Sequence, residues 1–189
     1  MRLASLTRHI DGLRPAAGEA RHAPLSALAL LIAASTLASF VFACATPFAA
    51  FAVAAAAMLP LRQALLVVAG SWLVNQGIGF CALRYPIDAN TMLWGLAIGG
   101  AALAATATAA IVLPMLRQIR APLALAVALL TAYAVYELAL FAVTPVLGGE
   151  AAFTLAIVGR LGLINAAWLV GLVAARDVIW RSAPIQRVA

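Results

Sequence analysis

The stretch Thr91–Leu113, "TMLWGLAIGGAALAATATAAIVL", carries no charged side chain. A helix of about 20 mostly apolar residues crosses the hydrocarbon of a bilayer, and this run is long enough. Its reading decides the fold, because similar runs lie on both sides of it. Upstream are "LSALALLIAASTLASFVFA" (Leu25–Ala43), "PFAAFAVAAAAML" (Pro47–Leu59) and "RQALLVVAGSWLVNQGIGF" (Arg62–Phe80). Downstream are "PLALAVALLTAYAVYELALFAV" (Pro122–Val143) and "AFTLAIVGRLGLINAAWLVGLVAA" (Ala152–Ala175). Six helical crossings follow, in one transmembrane domain over 25–175. The tails are 1–24 and 176–189.

Composition agrees. Of the 189 residues, 66% are hydrophobic and 10% are charged, whereas a soluble domain carries about 25% charged residues. Period-two alternation, the mark of a membrane β-barrel, is absent. The many alanines and glycines suit helices that pack closely in lipid. The expected class is therefore an all-α membrane protein.

The net charge of +6 rests on arginine alone, since the chain has no lysine. It is explained by topology and does not point to nucleic acid. Arg2, Arg8, Arg14 and Arg21 precede the first run, and Arg176, Arg181 and Arg187 follow the last. The positive-inside rule places both tails in the cytoplasm, which requires an even number of crossings. Arg62, Arg117 and Arg120 then also fall inside, leaving Arg84 in an outer loop and Arg160 within the last span. This count favours six helices over five, although "PFAAFAVAAAAML" is short for a full crossing. The first 24 residues lack the apolar core and cleavage site of a secretory signal. They read as a cytoplasmic tail with a short amphipathic helix on the membrane.

Ionisable groups inside a span are costly and usually functional. Glu137 and Arg160 are the two here. They lie roughly 9 and 12 Å below the outer ends of their helices at ~1.5 Å per residue. At those depths they could meet, either as a structural ion pair or as the polar wall of an outward-facing cavity. Asn75 and Gln76 lie at a similar depth. Adjacent amides on a helix cannot both face the same neighbour, so one of them is expected to face a cavity. Trp72, Trp94, Tyr133 and Tyr136 are individually read as packing or interfacial residues.

These groups lie beneath the loop "CALRYPIDAN", which begins with Cys81. A cysteine nucleophile usually works with a base such as histidine. The two histidines, His9 and His22, fall in the cytoplasmic tail, on the wrong side. No second thiol or histidine stands at zinc-ligand spacing. Cys81 can be an inert small hydrophobe, as Cys44 is read to be. In an oxidising compartment the two cysteines could also form a disulfide. A further role needs one sulfur only: an axial ligand to a metal already held by its own macrocycle, for which thiolate is a soft donor. Gly77 and Gly79 would let a flat ligand approach the backbone, and Arg84 would favour the thiolate by its charge.

The run Trp72–Gly99, "WLVNQGIGFCALRYPIDANTMLWGLAIG", resembles the BtuM family. These are small bacterial membrane proteins similar to the substrate-binding S-components of energy-coupling factor (ECF) transporters, and they are linked with vitamin B12. The resemblance implies an S-component-like six-helix bundle in the bacterial inner membrane with cobalamin bound near the outer surface. It implies that Cys81 ligates cobalt in a base-off form and serves as the metal-binding and reactive residue. Phe80, Tyr85, Asp88, Asn90, Thr91 and Trp94 become candidate contacts, and Asn75, Gln76, Glu137 and Arg160 candidate pocket-lining groups. A thiolate on cobalt is an electron donor that could help remove an upper cyanide. Expected partners are cobalamin, the lipid bilayer and either an ECF-type coupling module or none. For such a module, Ala29 with Ala33 and Ala34 with Ala38 match an Ala-x-x-x-Ala docking pattern on the first helix. The rival readings are a membrane-embedded enzyme that processes cobalamin, and a ligand-free subunit of a membrane complex.

Overall fold

The structure is a computed structural model and describes residues 23–42 and 46–182. The expected amphipathic helix of the N-terminal tail, both histidines and Cys44 lie outside the described residues. The described chain is helical throughout: α1 (Ala23–Phe42), α2 (Phe48–Met58), α3 (Leu61–Gly77), α4 (Ala89–Met115), α5 (Ala121–Phe141), the short α6 (Thr144–Leu147) and α7 (Leu155–Ser182). A π-turn over Ile78–Ala82 extends α3, and a 3₁₀ turn over Glu150–Phe153 precedes α7.

Four segments are long and apolar enough to cross a membrane: Leu61–Ala82, Ala89–Met115, Ala121–Leu147 and Leu155–Val178. The shorter helix α2 has 11 residues, a rise of roughly 16 Å against a hydrocarbon core of about 30 Å. The helix alone is too short to reach across. Instead it runs down the middle of the bundle, packed against α1, α3, α4, α5 and α7. Every residue from 46 to 59 is buried. A helix that is apolar on all sides belongs in an interior, and alanine lets five neighbours close around it.

The helix ends follow local chemistry. Pro60, extended at ψ 152, starts α3. Asp88 starts α4, its carboxylate accepting the Thr91 N–H at 2.8 Å. Gly148 and Gly149, at φ 77 and 95, turn the chain between α6 and α7. The sequence places Pro114 just past the fourth helix, but α4 runs on to Met115. A proline so near the terminus breaks few intrahelical bonds. At the other boundary, α7 continues through Arg176 to Ser182, so the last helix enters the segment read as a tail. Arg176 itself is buried there and pairs with Asp177 at 2.8 Å.

Side-chain contacts fix the register. Trp72 and Gln76 of α3 lie against Gly99 and Gly95 of α4, which makes the two helices antiparallel. One end of the bundle therefore gathers the π-turn, the start of α4, α6, the 3₁₀ turn and the start of α7. Arg62, Arg117, Arg120, Arg176 and Arg181 sit on elements at the opposite end.

Candidate functional site

The site is built on the last turns of α3. Gln76 and Gly77 are the final residues with regular α-helical bonding, after which the helix widens. The Leu83 N–H reaches back five residues to the Ile78 carbonyl at 3.0 Å, and the Tyr85 N–H reaches the Gly79 carbonyl at 3.0 Å. Wide turns of this kind are rare and concentrate at functional positions. Cys81 lies inside this turn as an exposed, free thiol. Arg84 follows, exposed and left-handed at φ 56, an uncommon conformation for a residue with a side chain.

Aromatic packing holds the turn. Tyr85 folds back over Gly79, where a Cβ would lie 2.8 Å from two of its ring carbons. Here glycine is required by close approach. Phe80 meets Tyr85 edge to face, with ring centroids 6.3 Å apart. Gly77, by contrast, has nothing within 4 Å of the position a Cβ would take, so one side of the turn is open.

The neighbouring candidates divide into groups. Asn75 donates to the Thr46 hydroxyl at 2.9 Å, and Gln76 donates to the Asn75 side-chain oxygen at 3.3 Å. The adjacent amides do point at different neighbours, but those neighbours are protein: the α1–α2 connection for one and Gly95 of α4 for the other. Trp94, half-buried, lies beside Gly149. Asp88 and Asn90 are exposed at the start of α4, with Thr91 half-buried. The Thr91 N–H beside Asp88 holds its carboxyl below the ordinary aspartate value, as expected of a carboxylate that accepts a helix-terminal amide.

Glu137 and Arg160 form no ion pair. Asn165 faces inward on α7 and is buried, and Arg160 lies about 140° around the helix from it at ~100° per residue. The guanidinium is accordingly exposed. At the α5–α7 seam the Tyr133 hydroxyl instead donates to the Val158 carbonyl at 2.7 Å. Glu137 is half-buried one turn further along α5. Trp72 and Tyr136 are packing residues: the Trp72 indole donates to the Gly95 carbonyl at 2.9 Å, and Tyr136 is buried.

Two features are absent from the sequence-based expectations. The Asn165 side-chain oxygen accepts the Ala50 N–H at 3.0 Å, satisfying one of the orphan donors at the start of α2. Gly95 and Gly99 form a seat on α4 for two α3 side chains. The second was legible as Gly-x-x-x-Gly in an apolar run. The first had as its signal only one amide in an otherwise apolar segment.

Among the described residues, no three histidine, cysteine, aspartate or glutamate side chains gather to hold a metal ion. Chemically, the arrangement offers an accessible thiol on a widened turn at one end of an apolar bundle. It defines an all-helical protein of the membrane-spanning class. Comparison with protein-family models, with curated proteins and with solved structures finds no match.

Proposed function

We propose that this protein binds cobalamin at the Cys81 end of the bundle and carries it into the bacterial cell across the inner membrane. The observation that carries the reading is the exposed Cys81 thiol, on a π-turn within the stretch that resembles the BtuM family. A corrin brings its own four equatorial nitrogens, so a single protein sulfur suffices as an axial ligand. The open side of Gly77 leaves room beside the turn for a flat ring system.

In this reading the chain crosses the membrane six times, with α1 and α2 as the first two segments and α2 lying inside the others. The arginine-rich end faces the cytoplasm, in keeping with the positive-inside rule, and Cys81 faces the periplasm. A thiolate on cobalt also donates electron density, which would assist loss of an upper cyanide. Of the two Ala-x-x-x-Ala pairs on α1, Ala29 and Ala33 are exposed while Ala34 and Ala38 are buried. The first pair is thus the one available to a coupling module.

Purified protein mixed with cyanocobalamin tests this by absorbance over time. The expected result is a shifted corrin spectrum that Cys81→Ala abolishes. Tight binding retained in Cys81→Ala would overturn the ligand role. Slow spectral conversion with cyanide release would assign ligand-removal chemistry to the protein, and the same release from Cys81→Ser would remove the thiol from it. A preparation that takes up no corrinoid would leave the ligand-free subunit reading standing.

A further inference from the structure

Resting on the reading of Cys81 as the ligand-bearing sulfur, a second question is what aims that sulfur. We propose that Asn75 is a positioning residue: with Thr46 and Gln76 it forms a polar belt that fixes the rotation of α3 and hence the direction in which Cys81 is presented.

The belt crosses three elements at one level. From the α1–α2 connection, the Thr46 hydroxyl accepts the Asn75 amide at 2.9 Å. The Asn75 oxygen accepts the Gln76 amide at 3.3 Å. On the far side, Gln76 abuts α4, its side-chain oxygen 2.5 Å from where a Cβ on Gly95 would stand. Successive helical residues point ~100° apart, so the two amides hold α3 from different directions. Lower on α3, the Ser35 hydroxyl of α1 donates to the Ser71 carbonyl at 3.3 Å, so the belt is the last polar tie on α3 before the turn.

The level of the belt matters because regular bonding stops just above it. Beyond Gly77 the chain is held by the wide Leu83–Ile78 and Tyr85–Gly79 bonds and by the Tyr85 ring on Gly79. Those contacts keep the turn together, and beside it the turn packs against α1. Cys81 stands five residues, roughly 7.5 Å, past Gln76, so a small rotation of α3 swings the thiol through an arc. One turn lower, the Trp72 indole bonds the Gly95 carbonyl. That bond secures the α3–α4 seam without bracing α3 against the α1–α2 connection. The belt therefore has a separate task from the seam.

The test uses the full-length, ligand-free protein in nanodiscs. The readout is the alkylation rate of Cys81 by a maleimide, measured on the peptide that carries it. Thr46→Val is expected to change the rate by about threefold, the population ratio for one average interhelical hydrogen bond in a membrane, and Asn75→Leu by at least as much. The double variant should change it no more than Asn75→Leu alone, because Asn75→Leu already removes the Asn75–Thr46 bond along with the Gln76–Asn75 one. Trp72→Phe should lower the melting temperature and leave the rate unchanged. An unaltered rate in Asn75→Leu overturns the proposal, as does an equal change in Trp72→Phe, which would mark the belt as general packing. Cyanocobalamin binding is measured separately on the wild type. Its absence would sink the ligand reading, while the alkylation rates still decide whether the belt positions the thiol.

Discussion

Gly77 and Gly79 are two residues apart and have opposite roles. Gly77 is helical at φ −57 and ψ −44, with empty space where a side chain would go. Alanine there restricts the unfolded chain and favours the helix, so Gly77→Ala should raise stability by roughly 0.5–1 kcal/mol in a thermal melt. If the ligand lies against that open side, the same variant should bind cyanocobalamin more weakly while melting higher. Gly79→Ala should melt lower, because its methyl group collides with Tyr85. Asp88 gives a pH signature. Its folded-state carboxyl is held below the ordinary value by the Thr91 N–H, so the cap contributes fully above that ordinary value. The contribution fades as pH falls through the lower, folded-state one. Asp88→Asn keeps an acceptor and should flatten the acid limb of the stability profile. Asp88→Ala should lower stability at neutral pH and flatten that limb as well.

At the scale of elements, the α3–α4 seam shows two kinds of glycine contact. A Cβ on Gly99 would stand 2.6 Å from the Trp72 ring, and one on Gly95 would meet the end of Gln76 at 2.5 Å. The indole is a rigid plate pinned by its bond to the Gly95 carbonyl, whereas a glutamine can swing aside. Gly99→Ala should therefore cost about 1–3 kcal/mol, the usual range for overpacking, and Gly95→Ala distinctly less; chemical or thermal unfolding in detergent would rank them. The apolar runs made the helices themselves readable. Thr91–Leu113 became Ala89–Met115, and Arg62–Phe80 became Leu61–Gly77 with its π-turn. Less readable was what each helix faces. One of Asn75 and Gln76 was expected to face a cavity; Asn75 instead bonds Thr46, and Gln76 bonds Asn75 beside Gly95, partners that depend on register, which no local pattern encodes. Arg160 could not be assigned an outward face without knowing that Asn165 points in. The π-turn has no sequence signature of its own, since it depends on Tyr85 folding back on Gly79.

The whole molecule is organised around α2. Too short to cross the hydrocarbon by itself, it is a centrepiece enclosed by the longer helices. Because Ala49, Ala52 and Ala55 are fully buried, enlarging any of them should push several helices apart at once. Ala52→Leu is expected to cost about 1–3 kcal/mol, measured as a lower melting temperature. An axis filled from residue 46 to 59 with hydrocarbon and backbone should also make the resting molecule a poor path for ions. Liposomes carrying it should hold a proton gradient as long as empty ones do. A membrane could then hold many copies of such a bundle without draining its potential.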